Sequence, residues 1–214
     1  MFETRVRSGP FTVLVVCTGN ICRSPQAAAL LETRIARIEE RTTSLPVSQA
    51  LKEIVVGSAG TGTHPGMVPP SKAIQVSREL GADVSAHSAQ PVDDTLLDAA
   101  DLVLTMEREH RNRVVAQLPS VTRRAFTLLE FARLVTVEGV AKSAWSAPGS
   151  VHDRLRAGVA SASTMRGMLE LSVYDVDDPY GHDLEVYRAS GAVVRNAIDS
   201  IFHTISATLP KVRR

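Results

Sequence analysis

The sequence predicts an α/β fold, a three-layer sandwich with a four-stranded parallel sheet and helices on both faces. Short aliphatic and β-branched runs alternate with stretches of helical periodicity, the order of strand and crossover helix. The first run is continuously β-branched and aliphatic, as in a strand buried on both faces. Of 214 residues, 44% are apolar but just 4% aromatic, so the expected core is aliphatic and belongs to one domain over residues 1–214.

Taken in order, residues 1–10 read as a loose arm and Phe11 to Val16 as the first strand. Ser24-Pro25 then opens a helix, serine as N-cap and proline at the first helical position. Ala28, Leu31, Ile35 and Ile38 recur at helical spacing along it. Residues 42–50 read as a loop and Glu53 to Val56 as the second strand, before an irregular Gly- and Pro-rich stretch over 60–71.

A helix from about Ser71 to Leu80 stops at Gly81. Ala100 to Met106 is the third strand, with a helical stretch following to Leu118, and Ala125 to Leu128 a short fourth. Residues 132–172, rich in Ala, Ser, Arg and Gly, read as a surface insertion of helical pieces without a chemical role. Val194, Ile198, Ile201, Phe202 and Ile205 mark a C-terminal amphipathic helix.

The 24 Lys and Arg against 23 Asp and Glu leave no basic excess for nucleic acid or a membrane surface. Val13 to Cys17, the longest apolar run near the start, is too short for a signal core or a membrane span. Two cysteines make no disulfide framework. The expectation is a soluble, cytoplasmic protein. Its histidines show no metal-ligand spacing, so no metal and no cofactor are expected.

The chemistry concentrates in CTGNICRSP, residues 17–25, between the first strand and its helix. Ligands of parallel sheets sit beyond the carboxyl ends of the strands, where Cys17 stands. A glycine-bearing loop there gathers backbone N–H groups of Thr18, Gly19, Asn20, Ile21 and Cys22, and the helix start adds its positive dipole end. Arg23 offers a planar fork for two phosphate oxygens. The same donors stabilise a Cys17 thiolate, a nucleophile aimed at phosphorus. Ser24 can hydrogen-bond that sulfur and help it leave, and Asn20 tolerates a left-handed backbone.

These residues resemble the Cys-x5-Arg-Ser signature of the low-molecular-weight protein tyrosine phosphatases. SAGT at 58–61, LGADVSAHSA at 80–89 and ADLVLTMEREH at 100–110 resemble further segments in family order, so the likeness spans about residues 11–131 and 175–208. HSAQ at 87–90 departs from the arginines the family often carries after that histidine.

The resemblance implies a general acid in an Asp-Pro-Tyr motif, here Asp178-Pro179-Tyr180. Asp178 would protonate the leaving oxygen and then activate water. Asp175 and Asp183 read as loop or capping residues, and Asp177 as a neighbour tuning Asp178 by like charge. Tyr180 would line the cleft and stack on a substrate ring, with ordinary packing the alternative. His64 reads as an exposed loop residue, with substrate contact the alternative. Cys22 is open between a packed, inert thiol and a partner trapping oxidised Cys17 as a disulfide.

The implied activity is hydrolysis of phosphotyrosine in protein substrates through a cysteinyl-phosphate; no oligomeric state is implied. Three other readings stand beside it. A protein-arginine phosphatase of similar build tends to carry threonine where Ile21 stands, and isoleucine crowds that space. An arsenate reductase would relay electrons through cysteines outside the loop, and this chain has none. A non-catalytic phosphate-binding module would have no need of Cys17 and Asp178 together.

Overall fold

The computed structural model describes residues 9–137, 140, 147–168 and 172–208, with side chains of the last helix through Thr204. Residues 1–8 of the expected arm and the Ile205 side chain fall outside these residues. β1 (Thr12–Cys17), β2 (Val55–Gly60), β3 (Leu102–Thr105) and β4 (Ala125–Thr127) form one parallel sheet in the order β2-β1-β3-β4. The four-stranded parallel sheet expected from the sequence is therefore present. β1 pairs on both sides, Cys17 opposite Gly60 of β2 and Val16 opposite Thr105 of β3. The chain reverses its direction of sheet growth at β1, the crevice where such sheets bind ligands.

Alternation along β1 divides the core. Val13 and Val15 face one side with α1 (Arg23–Arg41), α6 (Leu128–Val135) and α8 (Leu184–Thr208). Leu14 and Val16 face the other, with α4 (Asp94–Ala99) and α5 (Arg108–Gln117). Both faces of β1 are dry, which is why its sequence shows no polar alternation. α3 (Ser71–Glu79) packs against α8, and Gly81 takes φ +87° just past the α3 end, as its place after the helix predicts.

Several boundaries differ from the sequence reading, each for a local reason. α1 begins at Arg23 with Cys22 at its cap, so Ser24 and Pro25 lie inside the first turn and Ser24 is no N-cap. The serine hydroxyl is taken by the cysteine thiol instead. The stretch read as a loop contains α2 (Leu45–Lys52), with proline in its first turn. β2 lies later than expected because small residues, Gly57 to Gly60, carry no periodic signal but pair with β1. α4, a single capped helix on Asp93, was unmarked by any apolar pattern.

In the segment read as a surface insertion, Ala132, Leu134, Val135, Val140, Val159 and Ala162 reach the larger core cluster, while most of its other described residues are half-buried or exposed. α6 starts on a capping box between Thr127 and Glu130, and α7 (Val151–Thr164) on another between Ser150 and Asp153. Val135, Val159 and Ala162 are buried in the larger core cluster. Arg156 of α7 pairs with buried Asp101 at 3.0 Å and also donates to the carbonyls of Gly9 and Pro10 at the entry to β1. Arg166 pairs with Glu130 at 3.0 Å and lies over the Phe126 ring. No described helix is long and apolar enough to cross a membrane.

Candidate active site

At the end of β1 the chain turns through residues 18–22 into α1. Asn20 makes that turn with φ 52°, the single positive φ outside glycine among the described residues. Its side chain is fully buried and fully used. Oδ1 accepts the Gln90 N–H at 3.0 Å, which fixes Nδ2 as the donor to Ser24 Oγ at 2.9 Å and Ser58 Oγ at 2.8 Å. His87 donates from Nε2 to the Asn20 carbonyl at 2.8 Å. Burial lowers the pKa of His87, so this ring is neutral with its proton on Nε2. HSAQ, the sequence departure at 87–90, thus supplies two clamps on the loop, His87 and Gln90.

Cys17 is 2% exposed, and its sulfur lies 3.0 Å from Ser24 Oγ. Because Ser24 Oγ already accepts from Asn20, its own proton is free to donate to the sulfur. The Asn20 N–H adds a second donor at 3.3 Å. The first bond of α1 is donated by Gln26 to Cys22 O. The N–H groups of Ile21, Cys22, Arg23 and Ser24 donate to none of the described residues, the orphan donors of a helix start. They make the loop a site for an anion beside the thiol.

The loop can come this close to β2 because residue 60 is glycine. A Cβ there would lie 2.5 Å from the Thr18 carbonyl oxygen, which is held by the Gly62 N–H at 3.0 Å. The Thr61 N–H holds the Cys17 carbonyl at 2.9 Å. Ile21 and Cys22 turn their side chains into an apolar cluster with Ala73, Val76 and Tyr187, so the loop face they offer is backbone. Burial pushes the Cys22 thiol up to about 12, and it donates to the Tyr187 hydroxyl at 3.9 Å. Cys22 is therefore a protonated, packed thiol at neutral pH. Both cysteines are free.

Arg23 is 2% exposed and is held from two distant parts of the chain. Nη1 meets the Glu107 carboxylate and donates to the Val176 carbonyl at 2.7 Å. Nη2 meets Asp178 Oδ2 at 2.7 Å. Its buried Nε has no partner among the described residues, a donor suited to an anion in the loop. Glu107 follows β3 directly, so the end of that strand positions the guanidinium.

The Asp178 segment is tied down residue by residue. The Val176 N–H donates to the Met106 carbonyl at 2.8 Å, and Ser190 Oγ donates to the Asp177 carbonyl at 2.9 Å. Asp175 accepts the Arg108 N–H at 2.7 Å, capping α5, the role expected of it but on a helix far away in sequence. Lys72 of α3 donates to the His182 carbonyl at 2.6 Å. Asp178 Oδ1 accepts the Tyr180 N–H at 3.1 Å, and its side chain is 47% exposed. Tyr180 is 60% exposed. His64 is exposed, and Asp177 points to solvent at the surface.

Cys17, Ser24, Arg23, Asn20 and Asp178 thus converge. Glu107, His87, Gln90, Ser58 and the Val176 carbonyl complete the arrangement and were not singled out from sequence. For Glu107 a signal existed, since ADLVLTMEREH places an acid at a strand's carboxyl end.

A family model described as low molecular weight phosphotyrosine protein phosphatase matches residues 12–142. A probable low molecular weight protein-tyrosine-phosphatase, EpsP, from Ralstonia solanacearum is 28% identical over 94% of this chain and 96% of its own. A protein-arginine-phosphatase from Geobacillus stearothermophilus is 28% identical over 90% of this chain and 94% of its own. Among solved structures, a low molecular weight protein tyrosine phosphatase from T. tengcongensis superposes with TM-score 0.61 at 29% identity, covering 90% of this chain and 98% of that one.

Proposed function

Because the chain belongs to the low molecular weight phosphotyrosine protein phosphatase family, we propose that it hydrolyses phosphotyrosine in proteins through a cysteinyl-phosphate on Cys17. The observation that carries this reading is the 2.7 Å approach of Asp178 to Arg23, which brings an acid from the far end of the chain to the loop that holds the thiol.

In the first displacement the Cys17 thiolate attacks phosphorus and an S–P bond forms. The P–O bond to the tyrosine breaks, and Asp178 gives that oxygen its proton. Arg23 and the loop N–H groups bind the three remaining phosphoryl oxygens, those of Ile21, Cys22, Arg23 and Ser24 donating to no other described residue. In the second, Asp178 takes a proton from water, the hydroxide attacks phosphorus, and the sulfur leaves as a thiolate. The Ser24 hydroxyl, aimed at that sulfur, stabilises the charge it regains. Tyr180 stands exposed beside the acid and stacks on the substrate ring.

The reaction needs no metal and no cofactor. We read the chain as one domain that includes the segment 132–172, supported by the burial of α7 in the main core. A cytoplasmic setting suits two free cysteines, one of them a nucleophile that must stay reduced.

The test is hydrolysis of an aryl phosphate, without metal, by wild type, Cys17→Ser and Asp178→Asn. Loss of turnover in Cys17→Ser is expected, and activity surviving it overturns the proposal. Peptides carrying phosphotyrosine, phosphoarginine and phosphoserine define the substrate. Ile21, which offers no hydroxyl to a water, favours phosphotyrosine, and faster release from phosphoarginine would replace that assignment.

A further inference from the structure

His110 lies in the first turn of α5, is 3% exposed, and takes no part in the two displacements above. Its Nε2 sits 2.7 Å from the Thr18 hydroxyl oxygen, the side chain directly after Cys17, and 3.9 Å from Glu107. Its Nδ1 is buried without a partner among the described residues. A proton on Nδ1 would be a buried donor with no acceptor, a costlier defect than a bare lone pair there. The proton therefore belongs on Nε2, where the Thr18 oxygen accepts it and the Glu107 carboxylate adds attraction.

We infer that His110 is a positioning residue for the reaction proposed above: its Nε2–H holds the Thr18 hydroxyl oxygen and turns the hydroxyl proton outward, into the cleft. The inference rests on that phosphatase reading for its consequence but not for its geometry. Thr18 is solvent-exposed where His110 is buried, so an oxygen that accepts from below has its own proton left to give above. The Thr18 carbonyl accepts the Gly62 N–H at the same time, so backbone and side chain of this residue are both held. The loop thus gains one oriented hydroxyl donor beside its N–H groups.

Burial is the main influence on the ring, and the charged groups around it act in both directions. Glu107 and Asp178 favour a second proton, Arg23 and Arg113 oppose it, and burial lowers the pKa of His110. Neutral imidazole is the form that leaves the Nδ1 lone pair bare, in agreement with the geometry.

Four variants test the pair. Thr18→Val and His110→Leu each remove one partner, while Thr18→Ser and His110→Gln retain a hydroxyl and an N–H. With an aryl phosphate, Thr18→Val and His110→Leu should each lower kcat about five- to tenfold, the weight of one net hydrogen bond. The double variant should be no worse than either alone, and His110→Gln and Thr18→Ser should keep most of the rate. Losses that multiply in the double variant, or His110→Gln as slow as His110→Leu, overturn the inference.

Two readouts need no turnover. Nitrogen NMR of the full chain at neutral pH should show His110 with a protonated Nε2 and a bare Nδ1, and the opposite tautomer overturns the inference. Orthovanadate affinity should follow the same pattern across the variants as kcat. A wild type that hydrolyses no phosphoester counts against the phosphatase reading, and the tautomer and the vanadate series then decide this inference separately.

Discussion

The Asn20 carboxamide donates to Ser24 Oγ at 2.9 Å, and that bond decides where the serine's own proton goes. With Oδ1 committed to the Gln90 N–H, Asn20 cannot flip, so Ser24 has no choice but to offer its proton to the Cys17 sulfur 3.0 Å away. A buried amide thereby sets the polarity of the site without touching a substrate.

Ser24→Ala should slow the second displacement more than the first, because the sulfur carries full charge when it leaves. A charge-assisted bond of about 1.5–3 kcal/mol corresponds to roughly a 10- to 100-fold loss. Rapid-quench kinetics with an aryl phosphate should show a burst of phenol equal to the enzyme, followed by a slow steady state. A loss with no burst would place the serine in the first step instead.

Gly60→Ala should be far more damaging than a methyl group normally is. The added Cβ meets the Thr18 carbonyl at 2.5 Å and the Asn20 Cβ at 3.1 Å, both parts of the loop itself. Backbone must move, at a cost of about 1–3 kcal/mol in unfolding free energy. Urea denaturation together with aryl phosphate turnover checks it, and unchanged kcat in a destabilised protein would show that the loop adapts.

Arg156→Ala should destabilise the fold and leave the site alone. It removes the Arg156 guanidinium from Asp101, whose side chain is 3% exposed, at the end of the sheet away from Cys17. Breaking such a pair costs about 3–5 kcal/mol, partly relieved here by the Thr12 N–H that Asp101 also accepts. Denaturant midpoints should fall while kcat per folded molecule stays constant.

Stability should fall as pH drops below the unfolded histidine value of about 6.5. Burial lowers the pKa of both His87 and His110, so over that window the unfolded chain binds more protons than the native one. Unfolding free energy therefore rises with pH through the window and is fully restored above it. Urea midpoints between pH 5 and 7.5 should show this slope, and the double variant His87→Gln, His110→Gln should flatten it.

Much of this protein was readable along the chain wherever a pattern is local. β1 announces itself because both of its faces are buried, and the Gly81 stop of α3 because a left-handed residue is costly elsewhere. β2 was misplaced because Gly57 to Gly60 have no side-chain pattern and owe their strand to pairing with β1. The segment 132–172 read as surface because Ala and Ser carry little hydrophobic signal. Ala162, one of its buried residues, joins the main core only through tertiary packing.

The same division runs through the site. Residues 17–24 specify by themselves a thiol, an anion loop and a guanidinium, because strand, turn and helix start are contiguous and their donors converge by local geometry alone. The sequence alone also contained Asp178, as one acid among several. What brings it to Arg23 is tertiary: Val176 docking on Met106, Ser190 holding Asp177, and Asp175 capping α5. The partners that orient the loop, Glu107, His87, Gln90 and His110, come from two further segments, 87–90 and 107–110. Their roles exist only after the sheet has assembled, since a hydrogen bond acts over about 3 Å in space and leaves no spacing in the sequence.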